Sequence, residues 1–247
     1  MPIKPEIAVF DTPAALFQGA ADEFSELAAD AVRKTGRFTV ALSGGSTPKS
    51  LYSLLATEKA DSLPWEKIFF FFGDERHVPP DHADSNYRMA NQALLSRVPV
   101  PRENVFRVPA EDASAEVAAQ KYEDSLKKFF GKPSGQIPVF DLIFLGVGPD
   151  GHTASLFPGT KALMEKKRWV VANHVDKLDS DRITFTYPLI NNAACVTFLS
   201  SGADKAATLH EVLDNPDAGL PSQAVQPTHG RLVWMIDRAA AGRVTSK

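Results

Sequence analysis

At 247 residues, with 44% hydrophobic and 23% charged side chains, the chain has the size and make-up of a globular protein able to bury one large α/β core. Twenty-seven Lys and Arg against thirty Asp and Glu give a net charge of −3, which leaves no basic surface for a nucleic acid or a membrane. Anion recognition must then come from a few placed groups, and a small phosphorylated ligand fits that better than DNA.

The N-terminal MPIKPEIAVFDTP has neither the apolar h-region of a signal peptide nor an Arg-rich amphipathic pattern. No segment approaches the roughly 18 apolar residues of a membrane span, so a cytoplasmic protein is expected. IAVF (7–10) precedes a helical pattern from Ala14 to Lys34, and FTVAL (38–42) precedes a helix that starts near Pro48. IFFFF (68–72) leads to a loop and a helix near Asn86 to Ser96, and VFRV (105–108) to a helix near Ala115 to Phe130. GKPSGQIP (131–138) is the best linker candidate and is read as joining two elements of one domain, 1–247. FDLIFLGVG (140–148), WVVANH (169–174), RITFTYPLI (182–190), CVTFL (195–199) and LVWMI (232–236) complete the apolar runs. The one cysteine, Cys195, excludes an internal disulfide and thiolate-cluster metal sites, and its apolar neighbours mark a buried structural thiol.

Continuous apolar runs such as IFFFF suit strands buried on both faces, and their alternation with helices predicts a three-layer α/β/α sandwich around a mostly parallel, doubly wound sheet. The RITFT and CVTFL pair, joined by the short PLINNAA, is read as a candidate for an antiparallel strand. In such sheets ligands collect outside the carboxyl ends of the strands, so the loops that follow the apolar runs are where chemistry is expected.

Three such loops stand out. The first, VALSGGSTPKSLY (40–52), joins a strand ending at Leu42 to a helix with Pro48 near its start. Gly44 and Gly45 permit close approach of the backbone, and Ser43, Ser46 and Thr47 add hydroxyls beside helix-start amides that bind anions. The spacing is neither that of a Walker loop nor G-x-G-x-x-G, and the same residues also serve simple capping and tight turns. The second, GDERHVPPDHADSNYR (73–88), sets Asp74, Glu75, Arg76 and His77 after a buried strand; an Asp74–Arg76 ion pair is the structural alternative to a catalytic use. The third, PDGHTASLFPG (149–159), sets Asp150 and His152 around Gly151, the composition of an oriented general base. Arg182 and Lys205 stand at strand edges, from which they can converge on a phosphate. No G-x-S-x-G, H-E-x-x-H or EF-hand pattern occurs, so water activation falls to a side chain, and no metal site is expected.

LSGGSTP, FFGDERHVPPDHADSNYRMA, FDLIFLGVGPDGHTASLFPG, RITFTYPLINNA with SSGADKA, and LPSQAVQPTHGRLVWMIDRAAA resemble, in order and nearly end to end, the 6-phosphogluconolactonase family. The resemblance implies hydrolysis of 6-phospho-D-glucono-1,5-lactone to 6-phosphogluconate, the second step of the oxidative pentose phosphate pathway, with no cofactor. The related glucosamine-6-phosphate deaminases share the glycine-rich loop and the Asp-Gly-His turn, but carry an acid five positions after the histidine. Here that position is Phe157, and DERHVP replaces the deaminases' Asp-Glu-Tyr version. Two rivals remain: a deaminase or isomerase of amino sugar phosphates, and a non-catalytic sugar-phosphate sensor.

On this reading His152 takes a proton from the attacking water and returns it to the ring oxygen, with Asp150 orienting the imidazole. Arg76 faces the oxyanion, pairs with Asp74 to shape its loop, or does both; amides of the 148–152 turn are further oxyanion donors. Ser43, Gly44, Gly45, Ser46 and Thr47 hold the phosphate with Arg182 and Lys205. The expected partner is the small sugar-phosphate substrate, with no nucleic acid or membrane, and the protein a monomer or small homo-oligomer.

Overall fold

The computed structural model describes residues 3–132 and 135–245. Six parallel strands form the main sheet, in the order β1 (Glu6–Phe10), β9 (Arg231–Asp237), β8 (Cys195–Ser200), β5 (Leu142–Leu145), β2 (Phe38–Leu42) and β3 (Ile68–Phe72). Every residue of β2, β5 and β8 is buried, as runs without polar alternation require between two helical layers. The three-layer reading therefore holds, and Cys195 is buried, with its thiol pushed up to about 11 by burial.

The helices follow from their sequence signals. In α1 (Pro13–Thr35) Thr12 accepts a hydrogen bond from Ala15 N at 3.1 Å, Pro13 opens the first turn, and Gly36 closes it in the left-handed region at φ 78°. Its buried face, Leu16, Ala20, Phe24, Ala28 and Ala31, keeps the helical period. α2 (Ser46–Glu58) buries Leu51, Tyr52 and Leu55, and α4 (Ala115–Phe130) runs from a Ser114 cap to Gly131 at φ 60°. Between them α3 (Asn86–Ala90) continues as a π-helical turn to Leu95, and α6 (Ala206–Asp214) comes later in the chain. No helix is long and apolar enough to cross a membrane among the described residues.

Four segments depart from the sequence reading. DER, expected in a loop, is β4 (Asp74–Arg76), the edge of a second, antiparallel sheet of order β4, β7 (Ser180–Phe185), β6 (Val170–Val175). RITFT therefore pairs with WVVANH and DER, while CVTFL stays in the parallel sheet. YPLI forms the short helix α5 (Tyr187–Ile190), because Pro188 suits a first turn and cannot donate to a ladder. VFRV makes a single bridge, Val105 to Phe70, confined between the 3₁₀ turn Arg102–Asn104 and Pro109, and so covers the exposed edge of β3. Of the 131–138 linker candidate, residues 133 and 134 lie outside the described residues, as do 1 and 2 of the N-terminal stretch.

Gly73 joins the two sheets: its amide donates to Leu42 O at 2.9 Å and its carbonyl accepts from Phe185 N at 2.8 Å. Strands β8, β5, β2 and β3 are consecutive neighbours and parallel, so the loops leaving their carboxyl ends open on one edge of the sheet.

Candidate active site

At that edge lies a cleft of about 280 Å³ lined by Ser43, Gly44 and Gly45 after β2, Asp74 and Arg76 on β4, Gly146 to Pro149 with His152 and Ala154 after β5, Lys205 after β8, and Asn86. Seven of the eleven residues singled out from sequence thus face one cavity. Ser46 and Thr47 continue from its wall into the first turn of α2, whose Gly45 cap, at φ 106°, supplies no side chain to the helix-start amides. Asp150 stands behind His152, and Arg182 lies beside Arg76, opposite it in the β4–β7 register.

His152 is fixed on three sides. Its Nδ1 lies 2.5 Å from Asp150 Oδ1, an arrangement in which Nδ1–H donates to the carboxylate and Nε2 keeps its lone pair. The ring stacks on Phe157 with centroids 3.9 Å apart. On its other flank is Gly148, where a Cβ would fall 2.0 Å from His152 Cε1, so only glycine leaves room for the imidazole. Burial lowers the histidine's pKa, and the opposing pull of Asp150 does not fully offset it. Burial also acts on Asp150, in the opposite sense, but hydrogen bonds from Lys177 and His152 outweigh it and hold the carboxyl at about 2.

Asp74 and Arg76 do not form the ion pair anticipated as the structural alternative. Asp74 is instead taken up by Ser155 Oγ at 2.7 Å and Asn86 Nδ2 at 3.3 Å, and Asn86 also donates to its backbone carbonyl at 3.0 Å. A Cβ on Gly44 would sit 2.1 Å from Asn86 Oδ1, so this glycine is required by the packing of β2's loop against the start of α3. Glu75, buried and pushed up by that burial, accepts from the amides of Arg76, Asn86 and Tyr87 and from Ser85 Oγ, and so ties the 73–88 segment into a closed loop. His77 turns away to Asp112 O at 3.0 Å.

The basic groups are under-partnered. Arg76 Nη1 donates to Asp84 O, yet Arg76 Nε and Arg182 Nε are buried with no hydrogen-bond partner among the described residues. Burial and the adjacent Arg76 both lower the pKa of Arg182. Two guanidinium groups placed side by side in this way leave an unmet demand for an anion. Lys205 Nζ reaches Val147 O at 3.3 Å on the cleft wall, and Ser43 Oγ is buried there without a partner among the described residues. Of the 148–152 amides anticipated as oxyanion donors, those of Gly148, Gly151 and His152 are bonded within their own turn, so these three are not offered to substrate.

Sequence reasoning missed Asn86, Ser155 and Lys177. Asn86 lies in the DSNYR stretch already quoted, whereas Ser155 and Lys177 meet their aspartates across 81 and 27 residues, a distance at which local composition carries no signal.

Comparison with known proteins gives the family. The family model for glucosamine-6-phosphate isomerases/6-phosphogluconolactonase matches residues 11–234. The chain is 44% identical over 245 residues to a 6-phosphogluconolactonase of Nostoc sp., covering 98% of this chain and 100% of that one. It is 47% identical over 213 residues to one of Synechocystis sp., covering 85% and 86%. Among solved structures, the 6-phosphogluconolactonase from Trypanosoma cruzi superposes with a TM-score of 0.89 at 36% identity, covering 99% of this chain and 98% of that one.

Proposed function

The chain belongs to the glucosamine-6-phosphate isomerase/6-phosphogluconolactonase family, and on that premise we propose how its cleft performs lactone hydrolysis. The protein is a hydrolase that converts 6-phosphogluconolactone to 6-phosphogluconate in the pentose phosphate pathway. The observation that carries the mechanism is His152 in the cleft wall with Nδ1 held by Asp150 and Nε2 left free to accept a proton.

Neutral His152 takes a proton through Nε2 from water as that water's oxygen bonds to C1 of the lactone. The carbonyl becomes a tetrahedral oxyanion, which collapses with cleavage of the bond from C1 to the ring oxygen. The imidazolium returns its proton to that oxygen, and the open-chain acid leaves. Asp150 stabilises the transient imidazolium and fixes the tautomer that begins the cycle. Arg76 serves two ends: Nη1 anchors the loop at Asp84, while the guanidinium, which lines the cleft, stands by the developing oxyanion. Phosphate is held by the 43–47 loop amides and hydroxyls with Arg182 and Lys205. The stacked Phe157, where the deaminases place an acid, leaves no proton shuttle there and favours the lactonase reading over an isomerising one.

A cytoplasmic location and one domain spanning 1–247 belong to this proposal. The test is His152→Asn: turnover falls about 10²- to 10⁴-fold while KM changes little. Near-normal turnover would remove His152 from the role of base.

A further inference from the structure

Lys177 stands on the 3₁₀ turn Asp176–Leu178, at the tip of the β6–β7 hairpin, whose Asp179 adopts the left-handed region at φ 42° to close the turn. From there its ammonium crosses to the loop after β5 and pairs with Asp150 Oδ2, the carboxylate oxygen that His152 does not use. The same ammonium lies 4.9 Å from the centroid of Phe157, the ring that stacks on His152. One side chain thus touches both groups that hold the imidazole. As a stability device it is weak, because its side chain is 52% exposed and solvent screens such a pair.

Its effect on charge is larger. With Lys177 in place, Asp150, Lys177 and neutral His152 sum to zero, and protonating the ring leaves one net positive charge in a cleft that already holds Arg76 and Lys205. Without it the pair is an uncompensated carboxylate, and protonating the ring cancels that charge. We infer that Lys177 is a positioning residue for the lactonase reaction: through Asp150 and Phe157 it keeps the His152 imidazole unprotonated and therefore active as a base at the acid end of the working range. The inference rests on His152 being the base.

The other groups facing the ring are accounted for. Asp74, on β4, favours the imidazolium, whereas Arg76 on the same strand and Lys205 after β8 line the cleft as cations. Glu75 is enclosed by its own loop amides. On the hairpin, His174 pairs with Asp181 at 2.8 Å and with Asp176 at 3.5 Å, away from Asp150.

The experiment compares the parent with Lys177→Met, which keeps the aliphatic stem over Phe157, and Lys177→Arg, which keeps the charge. Two readouts are taken: the pH profile of kcat/KM, and the NMR titration of the His152 ring without substrate, assigned by its absence in His152→Asn. Lys177→Met is expected to raise the imidazole pKa by up to about one unit and to carry the acid limb of kcat/KM upward with it. The loss then reaches several-fold near about pH 6 and is small near about pH 8, and Lys177→Arg restores the parent profile. An imidazole titration that does not move in Lys177→Met, or a kcat/KM reduced by one factor at every pH, overturns the inference. If the imidazole titration moves and the kinetic limb does not, the electrostatic link stands and it is the assignment of His152 as base that fails.

Discussion

A histidine works as a base only while its ring is neutral, and three neighbours decide that for His152. Burial against Phe157 and Gly148 disfavours the imidazolium more than Asp150 favours it, so the ring's pKa falls below the ordinary 6.5. A depressed value means that activity is complete above it and is lost as pH falls through it. The acid limb of kcat/KM is therefore expected below about pH 6.5, and a limb above that value would show that Asp150, not burial, dominates. Composition made part of this legible. Asp150 and His152 around Gly151 are two residues apart, so one turn brings them together, and their contact follows from the sequence itself. The balance between burial and carboxylate does not, because it depends on the Phe157 stack and on Lys177, which are set by how the β6–β7 hairpin docks.

Elements were readable where local chemistry dictates them. Thr12, Pro13 and Gly36 delimit α1, Ser114 and Gly131 delimit α4, and unbroken apolar runs mark the buried strands. β4 was not readable, since Asp, Glu and Arg in succession have the composition of a loop. They form a strand because the chain supplies their partners from the Asn86 and Tyr87 amides, the Ser85 hydroxyl and Arg182's strand, contacts that no window along the sequence contains. Glu75 is the junction. Glu75→Ala strips the acceptors from three backbone amides, each worth about 1–3 kcal/mol if left unpaired, so a lower Tm and reduced turnover are expected together. A variant with parent Tm would show that water satisfies those amides and that the loop keeps its shape unaided.

For the molecule as a whole, four adjacent parallel strands deliver the glycine loop, the histidine turn and Lys205 to one edge, while the antiparallel sheet brings Arg76 and Arg182 to its side. On the proposed reading, a phosphate anchor and a base carried by different strands separate binding from chemistry. Arg182→Ala should accordingly raise KM with kcat less affected, and the unphosphorylated lactone should be a poor substrate of the parent; equal activity on both lactones would contradict the anchor. The central claim, lactone hydrolysis by a histidine base, is tested most directly with the lactone made in situ from glucose 6-phosphate by glucose-6-phosphate dehydrogenase, its disappearance followed with and without this protein. Decay that accelerates in proportion to the protein added, and returns close to the spontaneous rate with His152→Asn, is the predicted result. Decay at the spontaneous rate whether or not the parent protein is present would contradict it.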